Sequence, residues 1–151
     1  MEILIDNNQQ NHPMDLTMIR TKAQAILNAL GLIDDELSIL IVDDPRIAEL
    51  NESYRHKKGP TNVLSFSMRE GDFGGITPLL GDVVISADTT QREAEEAGIT
   101  FDERFSQLLI HGILHLVDFD HERSDQDAEI MEEKSIELLR LIEINPRLNA
   151  M

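Results

Sequence analysis

The stretch from Phe105 to Val117 restricts the fold more than any other part of the chain. It is strongly apolar, long enough for a buried helix, and set into it are two histidines, His111 and His115. Residues four apart on a helix differ by about 400° of rotation, so both imidazoles project from one face, one turn apart. Buried imidazoles need polar partners, so that face must meet something other than apolar packing. The remaining faces need an apolar layer to lie against.

Upstream segments supply that layer. Residues 2–6 are aliphatic and read as a short strand. Leu16, Ile19, Ala23, Ile26, Leu27 and Leu30 recur at helical spacing, and Gly31 stops the helix. Leu37 to Val42 is a continuous aliphatic strand, followed by Asp43-Asp44-Pro45, an aspartate cap with proline at the first helical position. That helix carries Ile47, Leu50 and Tyr54 until Lys58-Gly59-Pro60 breaks it. Val63 to Phe66 reads as a strand, the glycine-rich segment from Glu70 to Pro78 as an exposed loop, and Asp82 to Ser86 as another strand. Ser86 or Asp88 caps a helix running to Gly98, and a last amphipathic helix spans about Asp125 to Ile144. Strands come early and alternate with helices. The expected class is α+β, a single domain over residues 1–151 with a mixed sheet of about four strands packed against several helices.

Neutral imidazoles placed like those of His111 and His115 can reach one zinc ion at about 2.0–2.1 Å. His121 joins them only if the chain turns, and Asp118 supplies a turn because aspartate tolerates left-handed backbone. Three histidines leave a fourth tetrahedral position for water, which separates catalytic zinc sites from closed structural ones. His12, beside Pro13 in a loop, is assigned no role, and His56 reads as a solvated turn residue. The spacing H-x3-H-x5-H is that of the metzincin peptidases, a zincin-like arrangement. Here the general-base glutamate that follows the first histidine is replaced by Gly112, which argues against peptidase chemistry.

The chain has 151 residues and no cysteine, so thiolate ligands and disulfides are excluded. No signal peptide or membrane-length apolar run is visible, and a soluble cytoplasmic protein is the expectation. The formal net charge of −16 opposes nucleic-acid binding when taken alone. The charge is uneven, however. Residues 71–151 hold 18 acidic and 6 basic side chains, whereas Tyr54-Arg55-His56-Lys57-Lys58 is locally basic. A polyanion would have to meet the protein there.

Three segments together resemble one family. His111-Gly112-Ile113-Leu114-His115-Leu116-Val117-Asp118-Phe119-Asp120-His121 is similar to the motif H-G-x-L-H-L-x-G-x-D-H of the YbeY family of bacterial endoribonucleases and rRNA maturation factors. The run from Tyr54-Arg55 through Pro60-Thr61-Asn62-Val63-Leu64-Ser65-Phe66 resembles the family's Y-R-x(n)-P-T-[DN]-V-L-S-F stretch, and Leu80-Gly81-Asp82-Val83-Val84-Ile85 its L-G-D-[IV]-x-I strand. One position departs: the family's glycine between the second and third histidines is Asp118 here, at a cost of about 1 kcal/mol for a left-handed turn.

The resemblance implies a zinc-dependent endoribonuclease specific for single-stranded RNA, not DNA, acting in 16S rRNA 3′-end maturation and ribosome quality control. It implies one Zn2+ held by His111, His115 and His121, a functional arginine at Arg55, and a ribosomal partner. The guanidinium suits phosphate because its planar fork offers paired donors and stays charged; read without the family, Arg55 is an exposed residue near C-terminal helix carbonyls. Asp120 either orients a histidine ring or caps the final helix. Lys57 and Lys58 read as solvated, Thr61, Ser65 and Asp82 as residues that set strand and turn geometry. Glu129, Glu132, Glu133 and Glu137 form a solvated helix face. Two rival readings are a non-catalytic ribosome-assembly factor with structural zinc, and a metal hydrolase of another substrate such as a peptide or small phosphoester.

Overall fold

The computed structural model describes residues 2–32, 34–68, 79–117 and 125–143. The elements run β1 (Ile3–Asn7), α1 (Leu16–Ala29), β2 (Glu36–Val42), α2 (Asp44–Arg55), β3 (Val63–Ser67), β4 (Leu79–Ser86), α3 (Ala87–Ala97), α4 (Phe101–Leu116) and α5 (Asp125–Glu143). The expected α+β architecture is present, with the four strands in one mixed sheet. Local chemistry sets the helix starts. The side chains of Asp15, Asp43, Ser86 and Thr100 each accept a hydrogen bond from the backbone N–H three residues on, meeting donors that a helix leaves unpaired.

Several boundaries differ from expectation, among them that of β4, which begins at Leu79 rather than Asp82. Helix α4 begins at Phe101 rather than Phe105, because Thr100 caps it and the acidic first turn of Asp102 and Glu103 suits the positive end of the helix dipole. That polar turn carries no apolar periodicity. In α2, Asp44 takes the first helical position and Pro45 the second. The chain leaves α2 at His56, which adopts φ 57°, ahead of Lys58-Gly59-Pro60. The glycine-rich loop and Ile144 lie outside the described residues.

The strand order is β1-β2-β4-β3. β1 and β2 pair in parallel, as do β2 and β4, while β3 runs antiparallel to β4 and forms one edge of the sheet. Alternate residues divide the two faces. Leu37, Ile39, Ile41, Val83 and Ile85 pack against α1 and α4, joining Ile26, Leu27, Leu109 and Ile113 in the main core. Val42, Leu64 and Val84 face the other way and are covered by Ile47 and Leu50 of α2. The buried Lys22 of α1 donates to Ser106 of α4 at 3.0 Å and pairs with Glu143 of α5 at 2.9 Å, clamping three helices.

Candidate active site

On α4, the buried residues Leu108, Leu109, Ile110, Gly112, Ile113, Leu114 and Leu116 fill the core-facing arc, and His111 and His115 share the remaining face. Their Nε2 atoms approach to 3.0 Å, with ring centroids 4.5 Å apart and planes at 70°. Two imidazoles on one tetrahedral ion at about 2.0–2.1 Å hold their nitrogens roughly 3.3 Å apart. The pair therefore fits a shared cation with little adjustment. Among the described residues no third histidine, cysteine or carboxylate completes a set of ligands. His121, Asp118 and Asp120 lie outside the described residues.

The departure from the peptidase pattern has a structural cause. Position 112 faces the sheet. A Cβ built there would lie 2.6 Å from Val83 Cγ1, 3.2 Å from Val63 Cγ2 and 3.3 Å from Ser65 Oγ. A glutamate at 112 would be driven into the sheet rather than toward the histidines. Glycine instead lets α4 lie close enough for Ser65 Oγ to donate to the Gly112 carbonyl at 2.9 Å. That bond bears out the geometric role expected of Ser65 and ties β3 to the turn of α4 between the two histidines.

The histidine pair opens on a cleft of about 610 Å3. Its walls are α4, the edge strand β3 with Thr61 and Asn62 before it, and the end of α2, which contributes Tyr54 and Arg55. The fold thus brings Arg55 to the same cleft as His111 and His115, although they are far apart in sequence. The turn that follows Arg55 is held from below. Buried Asn51 donates Nδ2 to the Gly59 carbonyl at 2.9 Å, and its backbone carbonyl accepts from Lys57 N at 3.4 Å. His56, Lys57 and Lys58 are exposed, as expected of a solvated turn.

Charge is distributed to match. The chain carries 29 acidic residues, yet none is among the described residues lining the cleft, where Arg55 is the charged side chain. Glu129, Glu132, Glu133 and Glu137 are exposed on α5, away from it. The main carboxylate network also lies elsewhere. Burial pushes the Asp44 carboxyl up, but hydrogen bonds from Ser86 and Thr89, each at 2.6 Å, and from Arg92, together with the charge of Arg92, outweigh it and hold Asp44 below the usual range. Asp88 is also held low: burial opposes this, while the backbone N–H of Asp44 and the ring of His12 favour the charged form.

His12 therefore has a structural role, although its place beside Pro13 in a loop suggests none. Its Nε2 lies 2.9 Å from Asp88 Oδ1, and its ring stacks on Phe101 at 5.8 Å, pinning the loop before α1 onto α3 and α4. The partners are 76 positions apart, so no local pattern reveals the contact. Tyr54 lies on the helix that carries Ile47 and Leu50. Ile47 is buried, but Tyr54 is 65% exposed on the cleft. Its position beside Arg55 is the available sequence signal. No helix among the described residues is long and apolar enough to cross a membrane.

The comparisons with known proteins agree with one another. The family model described as Endoribonuclease YbeY matches residues 4–143. The Endoribonuclease YbeY of Geobacter metallireducens is 49% identical over 145 residues, covering 95% of this chain and 97% of that protein. The Endoribonuclease YbeY of Geobacter sulfurreducens is 50% identical over 145 residues, with the same coverage. Among solved structures, a solution structure of a Thermotoga maritima protein matches with a TM-score of 0.63 at 26% identity, covering 91% of this chain and 87% of that one.

Proposed function

Because the chain belongs to the Endoribonuclease YbeY family, we propose that it is a metal-dependent endoribonuclease that cleaves single-stranded RNA through one domain spanning residues 1–151. The observation that carries this reading is the cleft itself. Two imidazole nitrogens 3.0 Å apart share it with Arg55, and no described carboxylate lines it in a chain of net charge −16. A polyanion is repelled by most of this surface and admitted here.

His111, His115 and His121 would hold one zinc ion. A bound zinc ion supplies Lewis acidity, making water a usable nucleophile near neutral pH and drawing charge from a phosphoryl oxygen. Arg55 donates paired hydrogen bonds to two oxygens of the scissile phosphate and stabilises the charge that grows on them during attack. Gly112 and Ser65 act indirectly by seating α4 on the sheet, which fixes the angle at which both histidine rings enter the cleft. The substrate we assign is the 3′ end of precursor 16S rRNA in the cytoplasm. The acidic surface weakens capture of naked RNA, so ribosomal particles or their proteins position the strand.

Fluorescently labelled single-stranded RNA tests this directly. Wild-type protein cleaves it and leaves casein intact, and Arg55→Ala slows cleavage roughly 10²–10³-fold, the usual effect of removing one charge-stabilising donor. Ribosomal particles are processed faster than the same rRNA stripped of protein. Cleavage of casein without cleavage of RNA would overturn the assignment, and equal rates on particles and bare rRNA would overturn the positioning role.

A further inference from the structure

We propose that Tyr54 is a base-stacking residue of the cleft and the physical source of its preference for unpaired RNA; this rests on the nuclease reading above. The row Ile47, Leu50, Tyr54 runs along one face of α2. Ile47 is fully buried and Leu50 is half-buried over Leu64 and Val84, while Tyr54, one turn further on, meets Phe66 of the edge strand β3. Tyr54 is nevertheless 65% exposed and lines the wall of the cleft. In a chain with only 4% aromatic residues, this one shares the cleft with the arginine assigned to phosphate.

Exposure alone would leave the ring mobile. Phe66 braces it through an edge-to-face contact, with centroids 5.1 Å apart and planes at 64°. Such a contact occupies at most one face of the tyrosine ring, leaving surface for a second planar group. A preset ring loses less conformational freedom when a ligand stacks on it. Unpaired bases offer a free π-face to an aromatic side chain, regardless of base identity, whereas bases within a duplex are already stacked on both sides. Arg55 on the phosphate and Tyr54 on an adjoining base would select single strands without reading sequence.

The chain has one tyrosine and no tryptophan, so its intrinsic fluorescence reports this ring alone. The assay mixes wild-type protein rapidly with single-stranded RNA, and with an abasic strand of equal length, and reads tyrosine emission before turnover. Quenching by the first at lower concentration than the second is expected. In cleavage assays Tyr54→Leu, which keeps an apolar contact with Phe66, raises KM roughly tenfold or more with the loss in KM rather than kcat, and Tyr54→Phe restores most of that affinity. Thermal midpoints confirm that both variants fold. Equal quenching by the abasic strand, or an unchanged KM in Tyr54→Leu, would overturn the proposal while leaving the nuclease reading intact. A wild-type protein that cleaves no single-stranded RNA would remove that reading and the stacking role with it.

Discussion

Replacing Gly112 with alanine tests whether close seating of α4 on the sheet sets the histidine geometry. On helix propensity alone the change is favourable, since alanine in a helix interior is better than glycine by about 1 kcal/mol. The structure opposes it. The new Cβ would sit 2.6 Å from Val83 Cγ1, where apolar carbons rest at roughly 3.5–4.0 Å. Val83 is fully buried, so its methyl group has no solvent to move into, and α4 must retreat by about 1 Å. Overpacking of this kind costs about 1–3 kcal/mol. Loosening the bond from Ser65 to the Gly112 carbonyl adds about 0.5–1.5 kcal/mol. The net expectation is a loss of about 0.5–3.5 kcal/mol, read from urea unfolding followed by far-ultraviolet circular dichroism. A Val83→Ala background removes the colliding methyl, so there Gly112→Ala should be neutral or stabilising, giving a coupling energy above about 1 kcal/mol. Stabilisation by Gly112→Ala in the wild-type background, or no coupling with Val83, would refute the reasoning. The same retreat displaces His111 and His115, so weaker metal affinity should accompany the stability loss.

Two further perturbations follow from the packing and from the carboxylate network. Gly81→Ala places a Cβ 2.4 Å from the Phe66 carbonyl oxygen and 2.7 Å from Leu116 Cδ2 at φ 155°. Backbone cannot yield as a side chain can, so this variant should unfold at lower urea than Gly112→Ala. Asp44→Asn breaks hydrogen bonds to a charged group and should cost about 1–3 kcal/mol at pH 7. The Asp44 pKa is depressed in the fold, so its contribution is complete above the unfolded value of about 3.9 and is lost as pH falls through the folded value. The stability gap between wild type and Asp44→Asn should therefore hold above about pH 5 and shrink below about pH 4; a gap independent of pH down to 2 would contradict this.

What could be read from the chain was local. The caps at Asp43 and at Ser86, one of two candidates with Asp88, announce themselves because the capping side chain and its backbone partner lie within one turn. The aliphatic run at β2 and the paired histidines of α4 were legible for the same reason, since a helical turn brings positions 111 and 115 together whatever surrounds them. Sheet order was not, because pairing β2 with β4 across α2 and β3 is a non-local choice. Lys22 and Glu143, 121 positions apart, meet only once three helices have packed. The meaning of Gly112 was half visible. Its departure from the peptidase pattern could be seen, but its collision partner Val83 belongs to another element. Tyr54 followed the apolar spacing of α2, and only the assembled fold shows that it lines the cleft rather than the core.

The central claim is that a single cation held by three imidazoles drives RNA cleavage. Metal content per chain, measured together with ribonuclease activity for the wild type, His111→Ala, His115→Ala and His121→Ala, tests it most directly. The account predicts about one ion per wild-type chain, and in each variant a parallel loss of bound metal and of cleavage. Variants that shed the ion yet cleave single-stranded RNA at the wild-type rate would contradict it.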